Sequence, residues 1–309
     1  VNTQHSGASR RTALALGAGT ALTAALGLAG AGSAHAAAPR RTEEPVVARL
    51  RALEEQYGAR LGVHAHDVRS GRTLAHRDRE RFPMCSVFKT LAAAAVLRDL
   101  DHDGTFLARR ITYTADDVQR SGYSPVTEHP DNIAAGLTVS QLCDATIRFS
   151  DNTAANLLLR ELGGPTAITR FARSIGDPVT RLDRWEPELN SAEPWRITDT
   201  TSPRAIARTY GRLVLGRVLE PADRALLTDW LLRNTTSVTR FRKGLPADWT
   251  VADKTGGGKY GGNNDVGVVW PPDGGLILLS VLTTRFEREA PGVDELVAAA
   301  AAIVADELR

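Results

Sequence analysis

Cysteine, methionine, lysine and aromatic residues are all scarce in this chain of 309 residues, which has two cysteines, one methionine and 6% aromatics. So few cysteines exclude a disulfide-dense scaffold, in which several bridges substitute for a hydrophobic core. Charge of one sign is also lacking. The 38 basic and 36 acidic residues leave a formal charge of +2, and no block of either sign is long enough to track a phosphate backbone. Nucleic acid is therefore not an expected partner. No internal repeat of roughly 20 to 50 residues is visible, which removes solenoids and propellers. What remains, with 42% hydrophobic and 24% charged residues, is a globular chain long enough for one large domain or two small ones.

Residues 1–36 read as an export leader. Ser9, Arg10, Arg11, Thr12, Ala13 and Leu14 precede a weakly apolar Ala, Gly, Leu and Thr stretch that ends in Ala34, His35, Ala36, an A-x-A cleavage pattern. The paired arginines and glycine-diluted apolar core resemble a twin-arginine signal, with Ala13 where an aromatic residue is usual. Gly, Ser and Thr interrupt the stretch, and no other run approaches the roughly 18 apolar residues of a membrane span. Removing residues 1–36 takes away two arginines and no acid. The mature chain would be neutral, secreted, free of the membrane and suited to a small-molecule partner.

Residues 44–57 carry apolar positions at helical spacing (Val46, Val47, Leu50, Leu53), and residues 61–66 and 73–76 form a hairpin around Arg69, Ser70, Gly71, Arg72. Residues 85–233 read as all-helical, with Ala- and Leu-rich segments separated by Gly- and Pro-marked loops. Strand-like runs follow at 250–253, 265–270 and 276–284, before a last amphipathic helix at 293–308. The implied fold is α/β of the α+β type: an antiparallel sheet, completed by the early hairpin and flanked by N- and C-terminal helices, interrupted by an all-α domain. Its boundaries are 37–84 and 234–309 for the α/β part and 85–233 for the insertion, with a cleft between them.

Lysine occurs only at positions 89, 243, 254 and 259, which makes each one informative. Ser86 and Lys89 stand three residues apart at a helix start, about one turn, so a nucleophile and a base face the same way, with free N–H groups able to hold an oxyanion. Given 14 serines and four lysines, chance supplies roughly 0.2 such pairs per chain. Alone, the pair reads more readily as an N-cap serine and a surface lysine, and the other two motifs reverse that reading. Ser150, Asp151, Asn152 add a second hydroxyl for proton transfer and an amide for a substrate carbonyl. Lys254, Thr255, Gly256 and then Gly257 offer a cation, a hydroxyl and strand N–H groups to an anionic substrate. That triplet arises by chance only roughly 0.03 times per chain.

The ordered set resembles the active-site serine penicillin-recognising family, and in particular the class A serine β-lactamases. The segment Arg184, Trp185, Glu186, Pro187, Glu188, Leu189, Asn190 strengthens the likeness. The resemblance implies a β-lactamase/transpeptidase-like fold and hydrolysis of the β-lactam amide through a serine acyl-enzyme. It implies Ser86 as nucleophile, Lys89 and Glu186 as candidate bases, and Ser150 as proton donor to the lactam nitrogen. Asn152 and Asn190 would hold substrate and water. Lys254 and Thr255 would hold the substrate carboxylate, with Arg240 replacing an arginine that many members carry where Asn263 stands. The N–H groups of Ser86 and Gly257 would form the oxyanion hole, Arg184 and Asp199 would close the loop, and Tyr123 would line the cleft mouth.

No metal or organic cofactor is implied, and a monomer is expected. Two cysteines in an exported chain ordinarily suggest one bridge. Here Gly258 and Ala93 occupy the positions where relatives place partners for Cys85 and Cys143, so both thiols should be free. A D-alanyl-D-alanine carboxypeptidase shares the three motifs but lacks the loop acid, and a penicillin sensor would stay acylated. His64 and His66 share a strand face without a third ligand, and read as solvent-facing histidines.

Overall fold

The structure, a computed structural model, describes residue 1 and residues 45–309. The leader read at residues 1–36 thus falls, apart from residue 1, outside the described residues.

Helix α1 (Pro45–Tyr57) leads into strand β1 (Arg60–Asp67) and its hairpin partner β2 (Thr73–His76). After the helical middle of the chain come β3 (Thr250–Gly257), β4 (Asn263–Trp270) and β5 (Ile277–Thr284). The sheet order is β2-β1-β5-β4-β3, and every adjacent pair is antiparallel. The early hairpin therefore joins the late strands, as expected from the sequence.

β5 lies at the centre and is buried at all eight positions, which explains a nearly continuous apolar run where a half-exposed strand would alternate. Its residues still divide by face. Leu279 and Val281 join Val46 and Leu50 of α1, and Val297 and Val304 of the closing helix (Asp294–Leu308), in one apolar cluster. Leu278 and Leu282 join a second cluster with Leu91 of α2 (Lys89–Asp99), Leu158 of α3 (Asn152–Glu161) and Tyr210 of α4 (Pro203–Val214). The sheet is thus a wall with helices on both sides, and the candidate residues Ser86 and Lys89 lie on the side facing α2 and α3.

Three expectations need correction. The middle segment is not purely helical: Phe82–Pro83 pairs with Thr200–Thr201, and Arg110–Ile111 with Leu137–Thr138, in two-residue bridges that pin loops. Ser86 stands in a 3-10 turn (Cys85–Phe88) before α2 begins. His64 is buried and not solvent-facing, because Asp78 Oδ2 lies 3.0 Å from its Nδ1 and burial holds its pKa below the usual histidine value. Cys85 and Cys143 are both buried and free, as expected. No described helix is long and apolar enough to cross a membrane.

Candidate active site

The turn that carries Ser86 is held from behind. Tyr210 of α4 donates its hydroxyl hydrogen bond toward Val87 O (3.0 Å) and lies 2.8 Å from Thr90 Oγ1, while Asn264 Nδ2 donates to Pro83 O and Met84 O at 3.0 and 3.2 Å. Cys85, the preceding residue, has φ of +47°, a left-handed conformation that costs about 1–3 kcal/mol outside glycine and persists only where neighbours enforce it. β3 must approach this strap closely. A Cβ on Gly256 would stand 2.8 Å from Met84 O, and one on Gly258 would stand 2.8 Å from Cys85 Sγ and 2.9 Å from Asn190 O. Glycine is required at both points by contact alone.

Within that frame the predicted residues converge. Ser86 Oγ lies 3.3 Å from Glu186 Oε1, and Lys89 Nζ reaches the same oxygen at 3.0 Å, with the Lys89 and Glu186 side chains fully shielded from solvent. Lys89 Nζ also donates to Asn152 Oδ1 (2.7 Å) and Ser150 O (2.8 Å). These contacts occupy the three directions of an ammonium group. Breaking such a buried pair from one side leaves an uncompensated charge, so the cluster holds together as a set.

Ser150, at φ +58°, places its Oγ between the two lysines, 3.0 Å from Lys254 Nζ and 3.4 Å from Lys89 Nζ. Lys254 Nζ donates also to Thr255 O at 2.8 Å. Burial, together with the positive charges of Lys89 and Arg240, pushes the Lys254 pKa well below the ordinary lysine value. A cation in that condition gains from a neighbouring anion. Thr255 Oγ1 meets Thr236 Oγ1, and β3 pairs with β4 through Gly257, opposite Asn263.

The loop carrying Glu186 is tied at both ends. Asp199 accepts from the N–H groups of Asp183 and Arg184 and forms an ion pair with Arg184 Nε at 2.5 Å, which is the expected closure. Asn156 brackets Glu186, donating to its carbonyl at 2.9 Å and accepting from its N–H at 3.0 Å. The Glu186–Pro187 peptide is cis. Asn190 Nδ2 donates to Glu186 Oε2 at 2.5 Å, while its own Oδ1 is buried with no hydrogen-bond donor among the described residues. That oxygen and Glu186 form a polar pair beside the serine.

The remaining candidates are placed less directly. Tyr123 is exposed, and its backbone carbonyl accepts from Asn152 N at 2.9 Å. Arg240 is not a free guanidinium. Its Nε pairs with Asp294 at 2.7 Å, and its Nη1 donates to Gly256 O and Asn264 O at 3.1 and 2.9 Å, bracing the strand behind the Lys-Thr-Gly triplet. Asn156, Asn264 and Thr236 escaped the sequence reading. Asn156 stands four residues after Asn152, on the same helical face, which was the available signal; Asn264 and Thr236 offered none.

The chain is similar to known proteins over most of its length. Residues 45–308 match the sequence family described as the beta-lactamase enzyme family. A beta-lactamase of Streptomyces fradiae is 64% identical over 297 residues, 96% of each chain, and one of Streptomyces lavendulae is 61% identical over 300 residues, 97% of each. Among solved structures, a beta-lactamase from Streptomyces albus G aligns with a TM-score of 0.85 and 64% identity, covering 85% of this chain and 99% of that one.

Proposed function

The chain belongs to the β-lactamase enzyme family and is a class A serine β-lactamase that hydrolyses the β-lactam amide bond, conferring resistance, and from that premise we propose how its residues divide the reaction. Ser86 Oγ attacks the lactam carbonyl carbon, forming an ester as the C–N bond breaks. The N–H groups of Ser86 and Gly257 hold the developing oxyanion. Ser150 Oγ gives a proton to the departing nitrogen and is resupplied through the lysines beside it. Glu186, having passed the serine proton on through Lys89 toward Ser150, then takes a proton from water as that water attacks the ester carbonyl, and a proton returns to Ser86 Oγ as the ester C–O bond breaks, leaving the ring-opened acid.

The observation that carries this reading is the meeting of Ser86 Oγ and Lys89 Nζ at a single buried oxygen, Glu186 Oε1. It supports Glu186 as the acceptor of the serine proton, with Lys89 stabilising the carboxylate that accepts it. The undonated Asn190 Oδ1 beside Glu186 supports a water-holding role for Asn190. Lys254 and Thr255 receive the substrate carboxylate, Arg240 adds positive charge from behind Gly256, Asn152 holds the substrate amide and Tyr123 borders the entrance. None of these steps calls for a metal or an organic cofactor.

We further propose that residues 37–84 and 234–309 form the α/β part with 85–233 inserted, that the mature enzyme is a secreted monomer, and that export follows the twin-arginine route with cleavage after Ala36. The motif at Arg10 and Arg11 and the Ala34, His35, Ala36 sequence support the export reading; N-terminal sequencing of secreted protein tests it. The catalytic reading is tested by following benzylpenicillin with intact-mass detection. Many turnovers by the mature protein, abolished in Ser86→Ala, are expected; a stable single adduct without turnover would overturn it.

A further inference from the structure

Arg204, Arg208 and Arg212 stand at successive turns of α4, so their side chains share one stripe of the helix. Like charges at that spacing destabilise a helix, and a solvated surface offers no reason to accumulate them. Together with Arg79, they line a hollow of about 340 Å³ that also touches Asp177 and Ser202 and includes none of the catalytic residues.

Four guanidiniums face this hollow with little counter-charge: Asp78 forms a long ion pair with Arg204, and Asp177 lies at its wall. The guanidiniums of Arg79, Arg208 and Arg212 form no hydrogen bond or ion pair with any described residue. Arg204 Nε is buried without a hydrogen-bond partner, and the nearest carboxylate oxygen, Asp78 Oδ2, stands 3.8 Å away. Asp78 is itself engaged by His64. Asp177 cannot compensate, since its carboxylate already accepts from Val179 N, Thr180 N, Thr180 Oγ1 and Thr209 Oγ1. Several arginines elsewhere do meet a carboxylate closely: Arg77 pairs with Glu54, Arg184 with Asp199, Arg233 with Asp229 and Arg242 with Asp253. Burial and the charges of Arg204, Arg212 and Arg79 hold the Arg208 pKa below the usual arginine value.

We propose that this hollow is a binding site for a phosphate-class oxyanion, held by Arg79, Arg204, Arg208 and Arg212. Planar guanidinium forks match the paired oxygens of a phosphoryl group. The hollow, at about 340 Å³, leaves room for a diphosphate or a stretch of phosphodiester chain. The same chemistry is available from free polyphosphates and from phosphodiester polymers outside the cell, and the test separates the two.

Isothermal titration calorimetry of the mature protein at low salt, with pyrophosphate in one arm and poly(glycerol phosphate) in the other, reads the site directly. Saturable binding of at least one probe is expected, and it weakens by about tenfold or more in the double variant Arg208→Ala, Arg212→Ala. Arg72→Ala, an exposed position outside the hollow, should change affinity by less than about twofold. Tighter binding of the polymer assigns the site to a wall-type source, and tighter binding of pyrophosphate to a soluble one. Benzylpenicillin hydrolysis retained within about twofold certifies that each variant is folded; should the double variant lose it, Arg208→Gln alone carries the same expected weakening. Absence of saturation with both probes, or undiminished affinity in the folded arginine variants, overturns the proposal.

Discussion

The two sides of the central sheet are buried to a similar degree and held by different forces. Between the sheet and the terminal helices, Val46, Leu50, Leu61, Val63, Val281, Val297 and Val304 pack with no polar atom in their side chains. On the other side, around Ser86, the buried side chains include two lysines, a glutamate and two asparagines at hydrogen-bond distances. Apolar contact is non-directional and additive in area. Buried charge is unfavourable unless every partner is in place. The terminal-helix side is therefore held by apolar contact alone, while the Ser86 side adds to an apolar cluster of its own a fixed arrangement of charge that spends stability.

Exchanging residues between these regimes tests the contrast. The largest effect is expected on the polar side: Glu186→Ala should acylate more slowly, since Glu186 accepts the serine proton, and should lose still more in deacylation, slowed by about 10²–10⁴-fold, so that the covalent adduct accumulates, read by intact mass during turnover. Rapid deacylation in that variant would remove Glu186 from the hydrolytic step. On the apolar side, Leu50→Ala should lower the unfolding free energy by about 2–5 kcal/mol through lost burial and a cavity. Its kcat/KM, measured well below the melting temperature, should stay within about twofold; a large loss of activity would break the separation of the two sides.

A smaller and more specific effect concerns pH. Lys254 has a folded-state pKa well below the ordinary lysine value, so the unfolded chain binds its proton more tightly and this group favours folding increasingly as pH rises through the interval between the two values. Its charge toward substrate is lost over the same interval. The alkaline limb of kcat/KM should therefore begin below the ordinary lysine range, and Lys254→Arg should move it upward because arginine stays protonated. Smallest of all, Cys85 should resist alkylation at pH 8 in the folded enzyme and react only on denaturation, since burial, with the Glu186 and Asp199 charges, pushes its thiol up to about 12. Fast labelling without unfolding would show that the strap opens.

Much of the site was legible because local spacing carries it. Ser86 and Lys89 are one turn apart, Ser150 and Asn152 flank a helix start, and Lys254 to Gly257 ends a strand, so each fragment declares its chemistry within a few residues. The bracketing role of Asn156 was half legible, from its place one turn beyond Asn152 on the same helix. His64 was misread because alternation along a strand identifies a face without saying which face is covered. Arg240 was located by likeness, but its engagement with Asp294, 54 residues away, has no local signature.

The sequence by itself determined which elements form, the pairing of an early hairpin with late strands, and the three motif fragments, because helical and strand periodicities act over a few residues. Only the tertiary structure decided that Glu186 would stand within reach of a serine 100 positions earlier in the chain, that Lys254 would be stripped of solvent, and that four arginines would face one hollow. Those outcomes depend on burial and on charges meeting across long sequence separations, where the surroundings of a residue are set by packing and not by its neighbours in the chain.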